Sequence, residues 1–333
     1  MKFYIRRILY SLSFLQCYGL YGVEVVSTSG GPIKCMLRTL GYRTPWKLLS
    51  PADQFQAKYF VGTDVLDQGC RHGVCNTFSF APLIKYAAGE PVSRDYLDWV
   101  VMTSKLNNVH KKRLSGRPVI MDLGFIDDDE LAETIHSLGG IYPKGTWVYK
   151  DGYSGSALRK YFEVEGRKLV AANDGGALTA QQKINLLKET GSKFFLKTNP
   201  KYLIPLKISL KGREVLAKNI QSFENEIVKP LKKALSNGKP QRISFKVNEK
   251  QLSDKHFQII NKISNLNGPS HSMAIVGYTD NAKNRYGPAF IIQNSWGTDD
   301  GYKGVHYITV EELKKLKDEG NLSVTFHELE EIP

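Results

Sequence analysis

Three side chains far apart in the chain carry what an acyl-transfer centre needs. Cys75 lies in Asp67-Gln68-Gly69-Cys70-Arg71-His72-Gly73-Val74-Cys75-Asn76-Thr77-Phe78-Ser79. His271 lies in Ser270-His271-Ser272-Met273-Ala274-Ile275-Val276-Gly277-Tyr278, and Asn294 in Gln293-Asn294-Ser295-Trp296-Gly297. A thiol attacks carbonyls well only as the thiolate, and an unperturbed cysteine is mostly protonated at neutral pH. A helix N-terminus and a neighbouring imidazolium both lower its pKa. The helix expected after Cys75 supplies the first device and His271 the second. Asn294 can accept a hydrogen bond from the far ring nitrogen and hold the imidazole toward sulfur, with Trp296 covering that bond. Gln68 offers a side-chain N–H to a tetrahedral oxyanion, beside the backbone N–H of Cys75. Together these residue types predict cleavage of peptide bonds.

Other readings of the same residues are weaker. His72 stands close to Cys75, but only His271 comes with an asparagine to orient it. Cys70-x-His72-x-x-Cys75 has the look of half a metal site, yet no second cluster of His or Cys accompanies it. No metal and no cofactor are therefore expected. A protein that binds peptides without cutting them has no chemical need for the whole set. Transfer of the acyl group to an amine instead of water needs the same residues, and only the products distinguish it.

Positioning these groups requires two kinds of structure. Residues 75–88 read as a helix with Phe78, Leu83, Tyr86 and Ala87 on one side, kinked by Pro82 and ended by Gly89-Glu90-Pro91. Ser93 caps a second helix, and a third spans 128–138, closed by Gly139-Gly140. Farther on, alternating runs at 202–210, 242–247, 273–278, 289–293 and 305–309 read as strands, the first demoted to an edge by Pro205. An amphipathic helix is expected over 223–235, with Pro230 near its middle. The expected fold class is α+β, with a helical lobe packed against a β-barrel-like antiparallel sheet lobe. A cysteine at a helix start in one lobe then meets a histidine on a strand of the other.

Met1 to Gly22 reads as an export signal: Lys2, Arg6 and Arg7 precede an apolar stretch too short and too polar to span a bilayer securely. Its removal lowers the formal charge from +13 to +10, and the remaining Lys and Arg are spread along the chain as on a solvated surface. No nucleic-acid partner is expected, nor stable membrane insertion after cleavage; the partner is a peptide or protein substrate and the protein a monomer, secreted or periplasmic. Cleavage leaves Cys35, Cys70 and Cys75, an odd count that fits one reactive thiol with either a Cys35–Cys70 bridge or two plain thiols. The organisation expected is a signal over 1–22, an N-terminal segment over 23–63, the helical lobe over 64–150 and the sheet lobe over 151–333.

Several segments, in order, resemble the papain-like cysteine peptidases. Asp67-Gln68-Gly69 with Cys75-x-x-Phe78-Ser79 is similar to the nucleophile segment, and Ser93 to Trp99 to the helix that follows. Asp122-Leu123-Gly124-Phe125 and Gly140-Ile141-Tyr142-Pro143 resemble the rest of the helical lobe. The His271 segment and Asn294-Ser295-Trp296-Gly297 match most closely. The resemblance implies a two-lobe fold, a Cys75–His271–Asn294 triad, an oxyanion role for Gln68, and substrate contacts at Gly124 and Trp296. It also implies a covalent thioester intermediate.

The chain departs from the family pattern around Cys75. Gly73 and Val74 precede it, and Asn76 follows where an aromatic is usual. The interval from Gln68 to Cys75 is one residue longer than the common form, and Leu123 replaces one of two glycines. Cys75 and His271 stand farther apart than the roughly 130–150 residues of simple members, with the excess placed at 107–119 and 151–213. Residues 23–63 are too few for the usual inhibitory propeptide, so activity without trimming is expected.

Overall fold

The computed structural model describes residues 59–60, 66, 75–113, 128–148, 150, 156–173, 178–195, 202–206, 209–247, 259–260, 270–280, 288–295, 297 and 304–327. The expected signal over 1–22, Cys35, Cys70, His72, Gln68, Gly124 and Trp296 lie outside them. Within them a short strand at Tyr59–Phe60 is followed by helices up to Phe194 and mostly by sheet afterwards.

The helix expected over 75–88 is two helices, α1 (Cys75–Ser79) and α2 (Ala81–Ala88). Pro82 is the reason. It sits in the first turn of α2, where a missing N–H costs nothing, whereas a continuous helix would need that N–H. α3 (Arg94–Arg113) starts beside Ser93, whose Oγ accepts from the Tyr96 N–H at 3.4 Å. α4 (Asp128–Ser137) ends on Gly139 and Gly140, both at positive φ. At Gly140 glycine is required. Its φ is +144°, and an added Cβ would lie 2.0 Å from the Ile204 carbonyl oxygen.

Residues 156–194, which the sequence reading places in the sheet lobe, form α5 (Ser156–Tyr161), a π turn (Phe162–Gly166), α6 (Arg167–Ala172) and α7 (Ala180–Phe194). Thr179 and Gln182 cap α7 reciprocally in a capping box. These helices join the same apolar cluster as α2–α4. Trp99, Phe162, Leu186 and Phe195 are buried in it with Tyr96 and Trp147, so the added chain enlarges the helical core. The strand expected at 202–210 is absent from the described part of that run. Ile204 instead makes an isolated bridge to Ile141.

The sheet contains β1 (Tyr59–Phe60), β2 (Gly212–Leu216), β3 (Gln241–Lys246), β4 (Ile259–Ile260), β5 (Ser270–Thr279), β6 (Ala289–Gln293), β7 (Val305–Thr309) and β8 (Ser323–His327). Their order is β2-β8-β3-β5-β6-β7-β4, with β1 also on β5. All described pairs are antiparallel except β4 with β7. No described pairing joins β2 to β4, so the expected barrel-like sheet is open across the described residues.

α8 (Lys229–Ser236) runs on from a π turn at Glu224–Val228 with helical dihedrals at the join and covers one face, so Pro230 stands near the middle of the combined stretch, as expected. α9 (Val310–Asp318) also packs there, capped by Thr309. Ile227, Leu231, Leu235, Met273, Ile275 and Leu313 form this second core, while Ala274, Val276 and Ile291 belong to a third cluster. β5 is thus buried on both sides, which explains its almost unbroken apolar run.

Candidate active site

α1 lies against β5, and this contact brings Cys75 and His271 together. Cys75 opens α1 and is buried, as are its four followers. His271 is the second residue of β5, paired with Phe245 of β3. Asn294 immediately follows β6, where its N–H donates to the Gly304 carbonyl at 3.0 Å. Register therefore fixes two of the three groups. β5 and β6 are adjacent and antiparallel, and Ala274 stands opposite Gln293.

The Asn294 side chain orients the imidazole. Its Oδ1 accepts from the Ser295 N–H at 2.8 Å and faces His271 Nε2 at 2.8 Å. An amide oxygen only accepts, so Nε2 carries a proton and Nδ1 is left for the sulfur. Both residues are fully buried, which keeps water from competing for the bond.

The electrostatics favour an ionised thiol. Burial alone pushes Cys75 up. The hydrogen bond and charge of His271, together with the Ser272 and Asn76 backbone N–H groups, outweigh it and hold the thiol below its ordinary value.

A second group of polar residues gathers on the helix that the thiol opens. Arg242 of β3 is buried, and its Nε donates to Ser79 Oγ at 2.9 Å. One terminal nitrogen donates to Asn76 Oδ1, and the guanidinium carbon sits 4.5 Å over the Phe80 ring. Phe80 in turn meets the His327 ring edge-to-face at 5.3 Å. Sequence reasoning treats Arg242 only as the start of a strand. Its one signal is a charge within a run otherwise suited to burial.

Of the expected site residues, Cys75, His271 and Asn294 come together. Gln68, Gly124 and Trp296 lie outside the described residues.

Comparison with known proteins agrees with this architecture. Residues 197–323 match the model of the papain family cysteine protease, a span that includes His271 and Asn294 and begins after Cys75. Among curated proteins no sequence matches the chain. PepW of Lactobacillus rhamnosis is similar in fold at a TM-score of 0.50 and 13% identity, over 89% of this chain and 87% of that one. Xylellain, a cysteine protease from Xylella fastidiosa, aligns at 0.40 and 16% identity, over 86% of this chain and 96% of that one. The proform of Amb a 11, a ragweed pollen cysteine protease, aligns at 0.43 and 17%, over 91% and 75%.

Proposed function

We propose that this chain, a divergent papain-like cysteine peptidase, cleaves peptide bonds through Cys75, His271 and Asn294 by way of a thioester acyl-enzyme, and works outside the cytoplasm. The observation that carries the reading is the buried Asn294 Oδ1 to His271 Nε2 contact on the side of the ring away from a thiol whose pKa is drawn down. In this reading the Cys75 thiolate attacks the carbonyl carbon. The tetrahedral oxyanion is met by the Cys75 backbone N–H and the Gln68 side chain. His271 then passes its Nδ1 proton to the leaving amine, and the C–N bond breaks to give the thioester. Water attacks next, and His271 takes its proton. The thioester opens to a carboxylic acid, and Cys75 returns as thiolate with the imidazolium restored.

Substrate lies across the junction of helices and sheet, in backbone contact near Gly124 and beside Trp296. Export is supported by the basic and apolar pattern of residues 1–22. An epoxysuccinyl thiol trap tests the reading. Stoichiometric labelling of Cys75 in the folded protein, lost together with peptide hydrolysis in Cys75→Ala, is expected. A folded protein that binds peptides but neither cleaves them nor takes the label is a binder, and the proposal fails.

A further inference from the structure

We propose that Arg242 is a positioning residue for the nucleophile, a buried cation that ties the Cys75 helix to the sheet and sustains the thiolate. This rests on the reading of Cys75 as the nucleophile. The geometry is specific to one helical turn. Arg242 reaches from β3 to Asn76 Oδ1, the residue next to Cys75, and to Ser79 Oγ, four residues on, while Phe80 lies under its guanidinium plane. Asn76 stands where the family carries an aromatic, and here it serves as an acceptor for the guanidinium. One side chain thus grips α1 at both ends from the strand beside β5, which carries His271.

Charge adds a second argument. Burying a guanidinium is costly unless it is hydrogen-bonded and near an anion. Burial lowers the Arg242 pKa to about 9, and the negative charge of Cys75 opposes that fall. The lowered thiol pKa is traced directly to His271 and to the Ser272 and Asn76 N–H groups. Because Coulomb attraction is mutual, we add Arg242 to them, both by its charge and by its grip on Asn76. Among the described residues, the titratable groups that interact with Arg242 are Cys75 from α1 and His327 from β8, and His271 from β5 interacts with the thiol. His271 and Arg242 therefore flank the thiol from different strands, one as proton carrier and the other as fixed charge.

The test measures the pH dependence of Cys75 carbamidomethylation by iodoacetamide in the full chain, followed by peptide mass, for the unmodified protein, Arg242→Met and Arg242→Lys. Removing the charge is expected to raise the midpoint by about one pH unit, a roughly tenfold slower reaction on the acid limb, with Arg242→Lys restoring most of it. The acid limb of kcat/KM should move in parallel. Folded Arg242→Met with an unshifted midpoint overturns the inference alone. An ordinary thiol profile in the unmodified protein overturns the nucleophile assignment beneath it, and the inference with it.

A second measurement needs no variant to fold. In protein labelled with 15N-arginine, the Arg242 Nε–H resonance should titrate with the same midpoint as carbamidomethylation and stop titrating once Cys75 is capped. A resonance indifferent to the thiol overturns the proposal.

Discussion

His327 gives the protein a calculable weakness toward acid. Its ring is buried on β8, with Nδ1 donating to the Leu210 carbonyl at 2.8 Å. A carbonyl only accepts, so in the neutral ring Nε2 carries no proton, and it has no hydrogen-bonding partner among the described residues. Burial, and then the charge of Arg242, lower its pKa from 6.5 to about 3, against the opposing carbonyls of Leu210 and Lys211. Between those values the unfolded chain binds a proton that the native chain refuses. Stability therefore rises with pH across this window and is lost as pH falls.

At about 1.4 kcal/mol per pH unit, acidification from pH 7 to pH 4.5 costs about 2.5 kcal/mol through this one group. His327→Asn keeps a donor for Leu210 and removes the titration. Urea unfolding of both proteins at the two pH values gives the difference of differences, in which any constant cost of the substitution cancels. The variant should lose about 2.5 kcal/mol less than the parent on acidification. Equal losses would refute the reasoning, because they would mean that His327 protonates in the native state as readily as in the unfolded chain.

Four further outcomes follow from the site and its supports. Cys75→Ala should abolish peptide hydrolysis with little change in thermal unfolding, since it removes the nucleophile and little volume. Asn294→Ala takes an acceptor from His271 Nε2 and from the Ser295 N–H; kcat/KM should fall about ten- to hundredfold, matching about 1–3 kcal/mol for a buried donor deprived of its partner, with recovery in Asn294→Asp. The kcat/KM profile should be bell-shaped, with its acid limb below the ordinary thiol range because Cys75 is held low; the matching stability contribution is full above the ordinary thiol pKa and shrinks as pH falls through the lowered one, which unfolding of Cys75→Ser against the parent would reveal. Gly140→Ala should cost about 2–4 kcal/mol by driving a Cβ into the Ile204 carbonyl, measured by denaturant unfolding beside Gly139→Ala, whose nearest neighbour is a flexible leucine tip at 3.6 Å.

Local signals explain which elements the sequence discloses. Gly139-Gly140 ends α4 because only glycine accepts those dihedrals, and the apolar run of β5 is visible because the strand is buried on both faces. Pro82 announces a break in the helix after Cys75, and the chain answers with two helices rather than one bent helix. At 202–210 the alternation misleads. Pro205 removes a donor, and the segment serves as packing for α4 through Ile204 and Leu206 instead of joining a ladder. The helices over 156–194 are a different case. The Thr179-x-x-Gln182 and Thr309-x-x-Glu312 patterns cap α7 and α9, two helices that the sequence reading does not place. What no pattern reveals is that α5–α7 pack with the helical core, because that choice is made by tertiary contacts such as Trp99 Nε1 donating to Thr190 Oγ1 at 2.8 Å.

The same division runs through the site. Cys75, His271 and Asn294 are recognisable because each sits in a distinctive local run, and adjacent antiparallel strands are enough to bring the last two together. Asn76 is conspicuous only as a departure from the papain-like pattern: a polar side chain where an aromatic is usual, buried beside the thiol. A buried amide needs hydrogen-bonding partners, because leaving one unsatisfied is expensive. Arg242 supplies one such partner, from a strand that the fold brings against α1. A polar residue next to the thiol is thereby matched by a cation far away in sequence, across the join of helix and sheet. On the role proposed for Arg242, the integrity of the docked interface and the ionisation of Cys75 are tied together. A chain whose helical and sheet parts have not yet closed would lack both His271 and Arg242 at Cys75, and its thiol would revert to ordinary, weakly nucleophilic cysteine.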